Sequence, residues 1–266
     1  MSEKKENGDS NENSSKPELF LTDGMQLTIS GLSITIGADG KCEAAPATFS
    51  TCLDMCPYWL EIAYAHLLRT EQAYNDLLSA RETKNNEGIG DALQAEFIAG
   101  MQTMMASAIA IDAYYACIKE RVEIPKELIG RWKENRIARY KQIAEVLRIA
   151  FPMKDESFKQ VRGALKEIFR FRDMAVHPPS KPVPALLRPK LNLIIDWRYV
   201  AFSYDNAKAA VRLSLSIIAL TARRPHKGKF DALKPYCETL MSKVELSINQ
   251  WNDRYGKLLE DNNCKK

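Results

Sequence analysis

The sequence predicts a mainly α-helical protein, in which an antiparallel helical bundle carries an N-terminal β-hairpin and an extra C-terminal helix. From Pro57 onward, apolar residues recur with the period of an amphipathic helix. Before Pro57, apolar and polar residues alternate with the period of a β-strand. With 266 residues, of which 45% are hydrophobic, the chain can bury a substantial core in one or two domains.

The first 56 residues are expected to contribute a disordered tail and a hairpin. Residues 1–17 are rich in Ser, Asn, Glu and Lys, a composition typical of disorder. Residues 18–56 are expected to form the hairpin and a linker. Apolar residues alternate with polar ones on both sides of Ser30-Gly31, and Asp39-Gly40 closes the pattern: Met25, Leu27, Ile29, Leu32, Ile34 and Ile36. An isolated hairpin is marginally stable, so this one is expected either to pack on the helices or to bind a protein partner by adding to its sheet.

Residues 57–225 are expected to form the helical domain, and residues 226–266 a C-terminal helix that packs on it. Periodicity, prolines and turn residues predict five or six helices, at about 57–80, 91–121, 125–151, a segment that ends at 177, 197–222 and 230–259. Asp91 is the expected N-cap of the second helix, after a polar loop over residues 82–90. The loop over residues 178–189 contains five of the twelve prolines.

Composition excludes several function classes. The net charge of +4 is mild, so it neither requires nor excludes nucleic acid. The six cysteines are scattered, and Cys52 and Cys56 lack a matching Cys or His pair at zinc-finger spacing, so no metal and no other cofactor is expected. The sequence has no glycine-rich phosphate loop. It also has no long apolar stretch and no signal-peptide pattern, which favours a cytoplasmic protein without a membrane partner.

The most informative segment is residues 169–178, where a strongly amphipathic helix is expected to end. A helical period places Arg172 in the middle of an apolar stripe that comprises Phe158, Val161, Leu165, Ile168 and Phe169. A buried guanidinium without a partner is costly, so Arg172 needs an anionic partner or a polar cavity. His177, one of three histidines in the chain, follows five residues later, and Pro178 disfavours continuation of the helix beyond it.

Other charged positions are weaker candidates. A second face of the same helix carries a basic stripe that is a candidate guide for RNA, although such a stripe is also common on a solvated face: Lys159, Arg162, Lys166 and Arg170. The basic segment at 223–229 is more typical of a solvated turn between helices than of a contact with a phosphate backbone. His66 is interpreted as a structural histidine whose hydrogen bonds are satisfied.

The motif Arg172-Asp173-Met174-Ala175-Val176-His177, at the end of a late helix in an antiparallel bundle, resembles the motif of HEPN domains (higher eukaryotes and prokaryotes nucleotide-binding). The resemblance covers about residues 57–225 and leaves out the hairpin and the final helix. It implies a metal-independent endoribonuclease, such as a toxin or defence effector, that dimerises with both motifs at the interface. Other members of the superfamily are non-catalytic, so the resemblance also allows a module that binds a nucleotide or a protein partner.

The residue types suit RNA cleavage. His177 can transfer a proton near neutral pH, and Arg172 can bind a phosphate through two oxygens. Asp173, the third catalytic candidate, is expected to orient His177 or to pair with Arg172, or else to be solvated. One motif supplies one histidine, so a composite site with both an acid and a base favours a homodimer whose interface contains the apolar stripe. Alternatively, Arg172 pairs with a buried carboxylate or caps its helix, and the protein is not catalytic.

Overall fold

The computed structural model describes residues 19–22, 25–31, 33–36, 39–45, 47–178, 181–226 and 229–259. The chain divides into two compact units, Met1–Leu53 and Asp54–Lys266, and each is described by itself. The tail expected at residues 1–17 lies outside the described residues, as does Leu32 of the alternating pattern.

The first unit contains one long hairpin with an interruption in each arm. Strand β1 (Met25–Ser30) pairs antiparallel with β4 (Thr48–Leu53), and β2 (Ile34–Ile36) pairs antiparallel with β3 (Cys42–Ala44). The two ladders are in register with each other, because the four-residue step from Ser30 to Ile34 is matched by the four-residue step from Thr48 to Ala44. They therefore belong to one hairpin, whose turn lies at Asp39-Gly40. The Lys41 N–H donates to Asp39 Oδ1 at 3.2 Å in this turn.

The predicted hairpin is therefore present, but its strand pairing differs from the alternation pattern. The segments before and after Ser30-Gly31 lie along the same arm, and neither pairs with the other. Gly31, at φ +75°, interrupts the arm without reversing the chain. The alternation pattern does not predict the second arm, because Thr48–Leu53 is rich in Thr and Ser and has little alternation of apolar and polar residues. The apolar side chains Ile34 and Ile36 are 63% and 70% exposed.

The second unit contains eight α-helices and a small hairpin within the described residues. The helices are α1 (Cys56–Glu82), α2 (Asn86–Lys119), α3 (Lys126–Glu134), α4 (Arg139–Ala150), α5 (Asp155–Val176), α6 (Trp197–Ala201), α7 (Tyr204–Ala222) and α8 (Leu233–Tyr255). The hairpin pairs β5 (Leu186–Arg188) with β6 (Leu193–Ile195) across a single turn of 3-10 helix at Pro189–Leu191. The described part of the chain thus confirms a mainly helical protein, with more helices than the five or six expected.

Three helix boundaries correct the sequence prediction. Helix α2 begins at Asn86, well before Asp91, because the Asn85 side chain accepts the Gly88 N–H at 3.1 Å and serves as the N-cap. The third predicted helix is divided into α3 and α4, since the backbone of Arg136 has φ +46° and cannot continue a helix. The helix expected over 197–222 is likewise interrupted after Ala201, and α7 begins at Tyr204.

Helices α1 and α2 form a long antiparallel pair, against which α7 packs. Gly100 of α2 allows the backbone between α6 and α7 to approach closely, because a Cβ atom added to Gly100 would lie 2.0 Å from the Phe202 carbonyl oxygen. One polar pair in the core joins α2 to α7 through the 2.8 Å hydrogen bond between the hydroxyls of Tyr114 and Thr221. Helix α5 packs on α2 and α4, and α8 packs on α1 and α7.

The segment between α5 and α6 has a structure of its own that the proline pattern did not predict. Arg188 of β5 is 6% exposed and forms a two-pronged ion pair with Glu96 of α2, which is 1% exposed, at 2.5 and 2.7 Å. Glu96 also accepts the Tyr204 N–H at 2.8 Å, at the start of α7. Buried charges are stable only when paired in this way, so Glu96 fixes both the hairpin and α7 to α2.

None of the helices in the described ranges has both the length and the apolar character needed to cross a membrane.

Candidate active site

Helix α5 has the two faces that its sequence predicts. Leu165, Ile168 and Phe169 are buried, while all four residues of the basic stripe are exposed. The acidic residues Asp155 and Glu156 occupy the first turn, where carboxylates interact favourably with the helix dipole. The helix ends at Val176, and the His177 N–H donates to the Asp173 carbonyl at 2.8 Å.

Arg172 extends from the apolar stripe of α5 toward two carboxylates of the same chain. Its Nη1 lies 3.4 Å from Asp112 Oδ2 on α2, and its Nη2 lies 2.8 Å from Asp173 Oδ1. The guanidinium also lies over the Phe169 ring, 4.9 Å from its centroid. The ion pairs of Arg172 with Asp112 and Asp173 of the same chain thus explain why the apolar stripe contains an arginine. The stripe therefore gives no separate evidence for a dimer interface.

Asp112 joins two arginines from different helices. In addition to Arg172, it accepts a hydrogen bond from Arg139 Nε of α4 at 2.7 Å. The Arg139 guanidinium lies over the Tyr115 ring, 4.1 Å from the centroid. The sequence-based reasoning missed both Asp112 and Arg139. The sequence does mark Asp112 in the same way as Arg172, as a charge within an apolar helix, because Asp112 is the only charged residue between Glu96 and Lys119.

An open surface pocket of about 520 Å³ lies beside these groups, between α4 and the end of α5. Its lining includes four cationic side chains and one histidine: Arg139, Lys166, Arg170, Arg172 and His177. Asp173 is the only carboxylate of the lining, and its side chain is 57% exposed. The pocket is therefore suited to an anion, and the imidazole lies at its edge.

The structure brings together the three residues predicted to be catalytic, but only two of them contact each other. Asp173 pairs with Arg172 through both Nε, at 3.1 Å, and Nη2. Within the described residues the imidazole of His177 has no hydrogen-bond partner, so Asp173 does not orient it here. His177 is exposed at the end of α5 and is accessible to a ligand.

The basic stripe divides between two pockets. Lys166 and Arg170 line the pocket of Arg172, although Arg170 is also paired with Glu167 at 2.8 Å. Arg162 instead lines a separate surface pocket formed mainly by α3 and α4. Lys159 lines neither of these two pockets. The stripe is thus continuous on the helix surface, but only its C-terminal half contributes to the candidate site.

A second polar cluster, which the sequence did not reveal, surrounds Glu71 of α1. Its carboxylate accepts hydrogen bonds from the Tyr204 and Tyr255 hydroxyls at 3.1 and 2.7 Å and from Arg254 Nε at 2.7 Å. Burial alone would raise the pKa of Glu71, but these hydrogen bonds outweigh burial and hold that pKa below its usual value. Burial and the neighbouring carboxylate raise the pKa of Tyr204 to about 12. The cluster joins α1, α7 and α8.

The remaining predicted groups lie apart from the pocket. His66 was expected to be a satisfied structural histidine, but its Nδ1 atom is buried without a hydrogen-bond partner. Burial, together with the charge of Arg69, lowers the pKa of His66, so the neutral form is favoured. Among the described residues, no group of three or more His, Cys, Asp or Glu side chains is arranged to hold a metal ion.

Fold and pocket together define a helical-bundle protein with a cationic, histidine-containing surface site. Comparison of the chain with family models, curated proteins and solved structures finds no match. The geometry of the site therefore carries the functional argument.

Proposed function

We propose that the protein is a metal-independent endoribonuclease of the HEPN type, with the pocket of Arg172 and His177 as its cleavage site. One observation supports this most directly: cations from α4 and α5 line a single open pocket with an exposed histidine. Arg139 and Arg172 provide two guanidiniums with the fork geometry that suits a phosphate. A toxin or defence effector is the biological role that fits such an activity.

The proposed chemistry uses the RNA's own nucleophile. The 2′-hydroxyl attacks the adjacent phosphorus, a base removes its proton, and an acid protonates the departing 5′-oxygen. The products are a 2′,3′-cyclic phosphate and a 5′-hydroxyl end. His177 can serve as the base or the acid, while Arg172 and Arg139 stabilise the negative charge that develops on the phosphate oxygens.

A phosphate can reach Arg172 although the guanidinium is already paired. Asp173 is exposed and adjacent in sequence, and such pairs are screened by water and worth less than about 1 kcal/mol. Asp112 contacts a different nitrogen, Nη1, at the longer distance of 3.4 Å. In the proposed complex the phosphate replaces Asp173, while Asp112 continues to hold Arg172 and Arg139 in position.

The proposal includes a homodimer. Neither His66 nor His226 lines the pocket, so a single chain offers His177 alone for proton transfer. Two copies that face each other would supply one imidazole as base and one as acid. The exposed position of His177 at the end of α5 allows such an approach.

The test is incubation of purified protein with end-labelled RNA in excess EDTA. Wild-type protein should cleave the RNA and leave 2′,3′-cyclic phosphate ends, and His177→Ala should not cleave it. His226→Ala is the matched control and should retain activity, because His226 lies in another pocket. A requirement for added metal, or equal rates for wild type and His177→Ala, would refute the proposal.

The second candidate is a non-catalytic helical module that binds a nucleotide or a protein partner. The ion pairs of Arg172 with Asp112 and Asp173 favour it, since a structural arginine needs such partners. The exposed apolar side chains of the hairpin, including Ile34 and Ile36, would offer a surface for a protein partner. In this case Arg172→Ala should lower the free energy of unfolding, and wild-type protein should leave RNA intact.

A further inference from the structure

A second cationic pocket lies at the junction of α7 and α8, with a volume of about 890 Å³. Its cationic lining comprises Arg223, Arg224 and Lys234, against a single carboxylate, Asp231, and the imidazole of His226 lies beside them. The volume lies within the range of about 300–1,000 Å³ that is usual for small-molecule sites. The backbone N–H of His226 contacts the Ala150 carbonyl at 3.5 Å, which connects this turn to the end of α4.

The arginines of this pocket have no evident structural role. Arg223 and Arg224 follow the last turn of α7, where arginines often bond to terminal carbonyls. Within the described residues, however, neither guanidinium forms a hydrogen bond or an ion pair, whereas Arg139, Arg172 and Arg188 all do. Both side chains are exposed at the rim of the pocket and are available to an anion.

The other walls are apolar. Three prolines line the pocket, together with the half-buried ring of Phe230. Lys229 lies over that ring, 5.1 Å from its centroid, and adds a further positive charge next to it. A ligand that fills this space needs a phosphate or a similar anion for the arginines and a planar group for the ring.

We propose that this pocket binds a small organic polyphosphate with a planar ring, such as a nucleoside diphosphate. The phosphates contact Arg223 and Arg224, and the ring lies against Phe230. This site is separate from the pocket of Arg172, with which it shares no lining residue, and the proposal does not depend on RNA cleavage.

Isothermal titration of the full-length protein with ADP, pyrophosphate and adenosine tests the proposal. ADP should bind most tightly and pyrophosphate more weakly, while adenosine should bind least. The double variant Arg223→Ala/Arg224→Ala should weaken both ADP and pyrophosphate at least tenfold. Phe230→Leu should weaken ADP severalfold and change pyrophosphate less than twofold. Arg212→Ala is the matched control, since it removes an exposed arginine of α7 outside the pocket, and it should bind ADP like wild type.

Three results would overturn the assignment. The first is the absence of ADP and pyrophosphate binding at ligand concentrations up to about 1 mM. The second is binding that survives in the double arginine variant. Loss of ADP binding in Arg172→Ala but not in the double variant would also refute it, because the ligand would then occupy the other pocket. Far-UV circular dichroism of each variant shows that any loss of binding is not a loss of fold.

Discussion

Arg172 and Asp112 are charged residues that interrupt two apolar helix faces, and in the folded protein they contact each other. The side chains are 30% and 27% exposed, so water still reaches the pair. Arg139 completes the arrangement from α4. One carboxylate thus positions two guanidiniums at the wall of the pocket that contains His177.

Replacement of Arg172 should reveal whether its role is to bind phosphate. Arg172→Ala should lower the cleavage rate by about 100-fold or more, because a lost contact to the transition-state charge forfeits several kcal/mol. Arg172→Lys should restore only part of the rate, since an ammonium lacks the two-pronged geometry. Single-turnover cleavage assays measure both. Full rescue by lysine would mean that charge alone is needed at this position.

Asp112 is expected to act as a positioning residue. Asp112→Asn removes the charge that holds Arg139 and Arg172, so we expect kcat to fall about tenfold. KM for RNA should stay the same or decrease, because the pocket becomes more positive. Asp173→Asn serves as the comparison and should lower KM without a comparable loss of kcat. A rise in KM for Asp112→Asn with kcat unchanged would contradict this role.

At the residue scale, the sequence predicted the local position of some residues of the pocket and not of others. The helical period placed Arg172 on the apolar stripe of α5, and Pro178 predicted that the helix ends next to His177, because both features depend only on local sequence. Arg139 could not be predicted, since its contact with Asp112 links α2 and α4 and depends on how the helices pack. The stripe Lys159–Arg170 shares a helix face, but its division between two pockets is set by the neighbouring helices.

Among the structural elements, the β5–β6 hairpin depends most on a single ion pair. Glu96→Ala leaves Arg188 buried and unpaired, so the free energy of unfolding should fall by about 3–5 kcal/mol. Asp205→Ala is a matched control, because its pair with Lys190 is largely exposed and worth less than about 1 kcal/mol. Urea denaturation measures the free energy of unfolding of both variants. Equal losses would show that burial of the Glu96–Arg188 pair does not matter.

The Glu71 cluster that joins α1 to α7 and α8 should make stability depend on pH. The pKa of Glu71 is lowered in the folded state, so its contribution is fully present above the ordinary carboxyl pKa of about 4.3 and is lost as pH falls through the folded value. Glu71→Gln should therefore be less stable than wild type at pH 7, and the difference should shrink toward pH 3. Glu61→Gln, on the exposed face of α1, should show no such trend in urea denaturation. A difference that is constant with pH would contradict the linkage.

Element boundaries were predictable where they depend on local signals and not elsewhere. The end of α5 at Val176, just before the C-cap His177, follows from Pro178. The early start of α2 depends instead on a cap by Asn85, for which Asp91 is an equally suitable residue type. The strand Thr48–Leu53 is defined by its pairing with Met25–Ser30, and its own sequence carries little alternation. Pairing partners of this kind are a tertiary property that periodicity does not encode.

At the scale of the whole molecule, the helical unit has two separate cationic pockets, for which we propose RNA cleavage and the binding of a small polyphosphate. In the proposed dimer each chain contributes one His177 to the first pocket, so the cleavage activity should depend on assembly. The central claim is that two copies of His177 form a single cleavage site.

Titration of His177→Ala protein into wild-type protein, at constant total concentration and with time for subunit exchange, tests this claim most directly. We expect that wild type alone cleaves RNA in EDTA, that His177→Ala alone does not, and that activity follows the square of the wild-type fraction. At equal amounts, about one quarter of the wild-type activity should remain, since only dimers with two intact subunits are active. An activity of about one half would mean that each subunit acts alone, and no cleavage at any ratio would contradict the nuclease assignment itself.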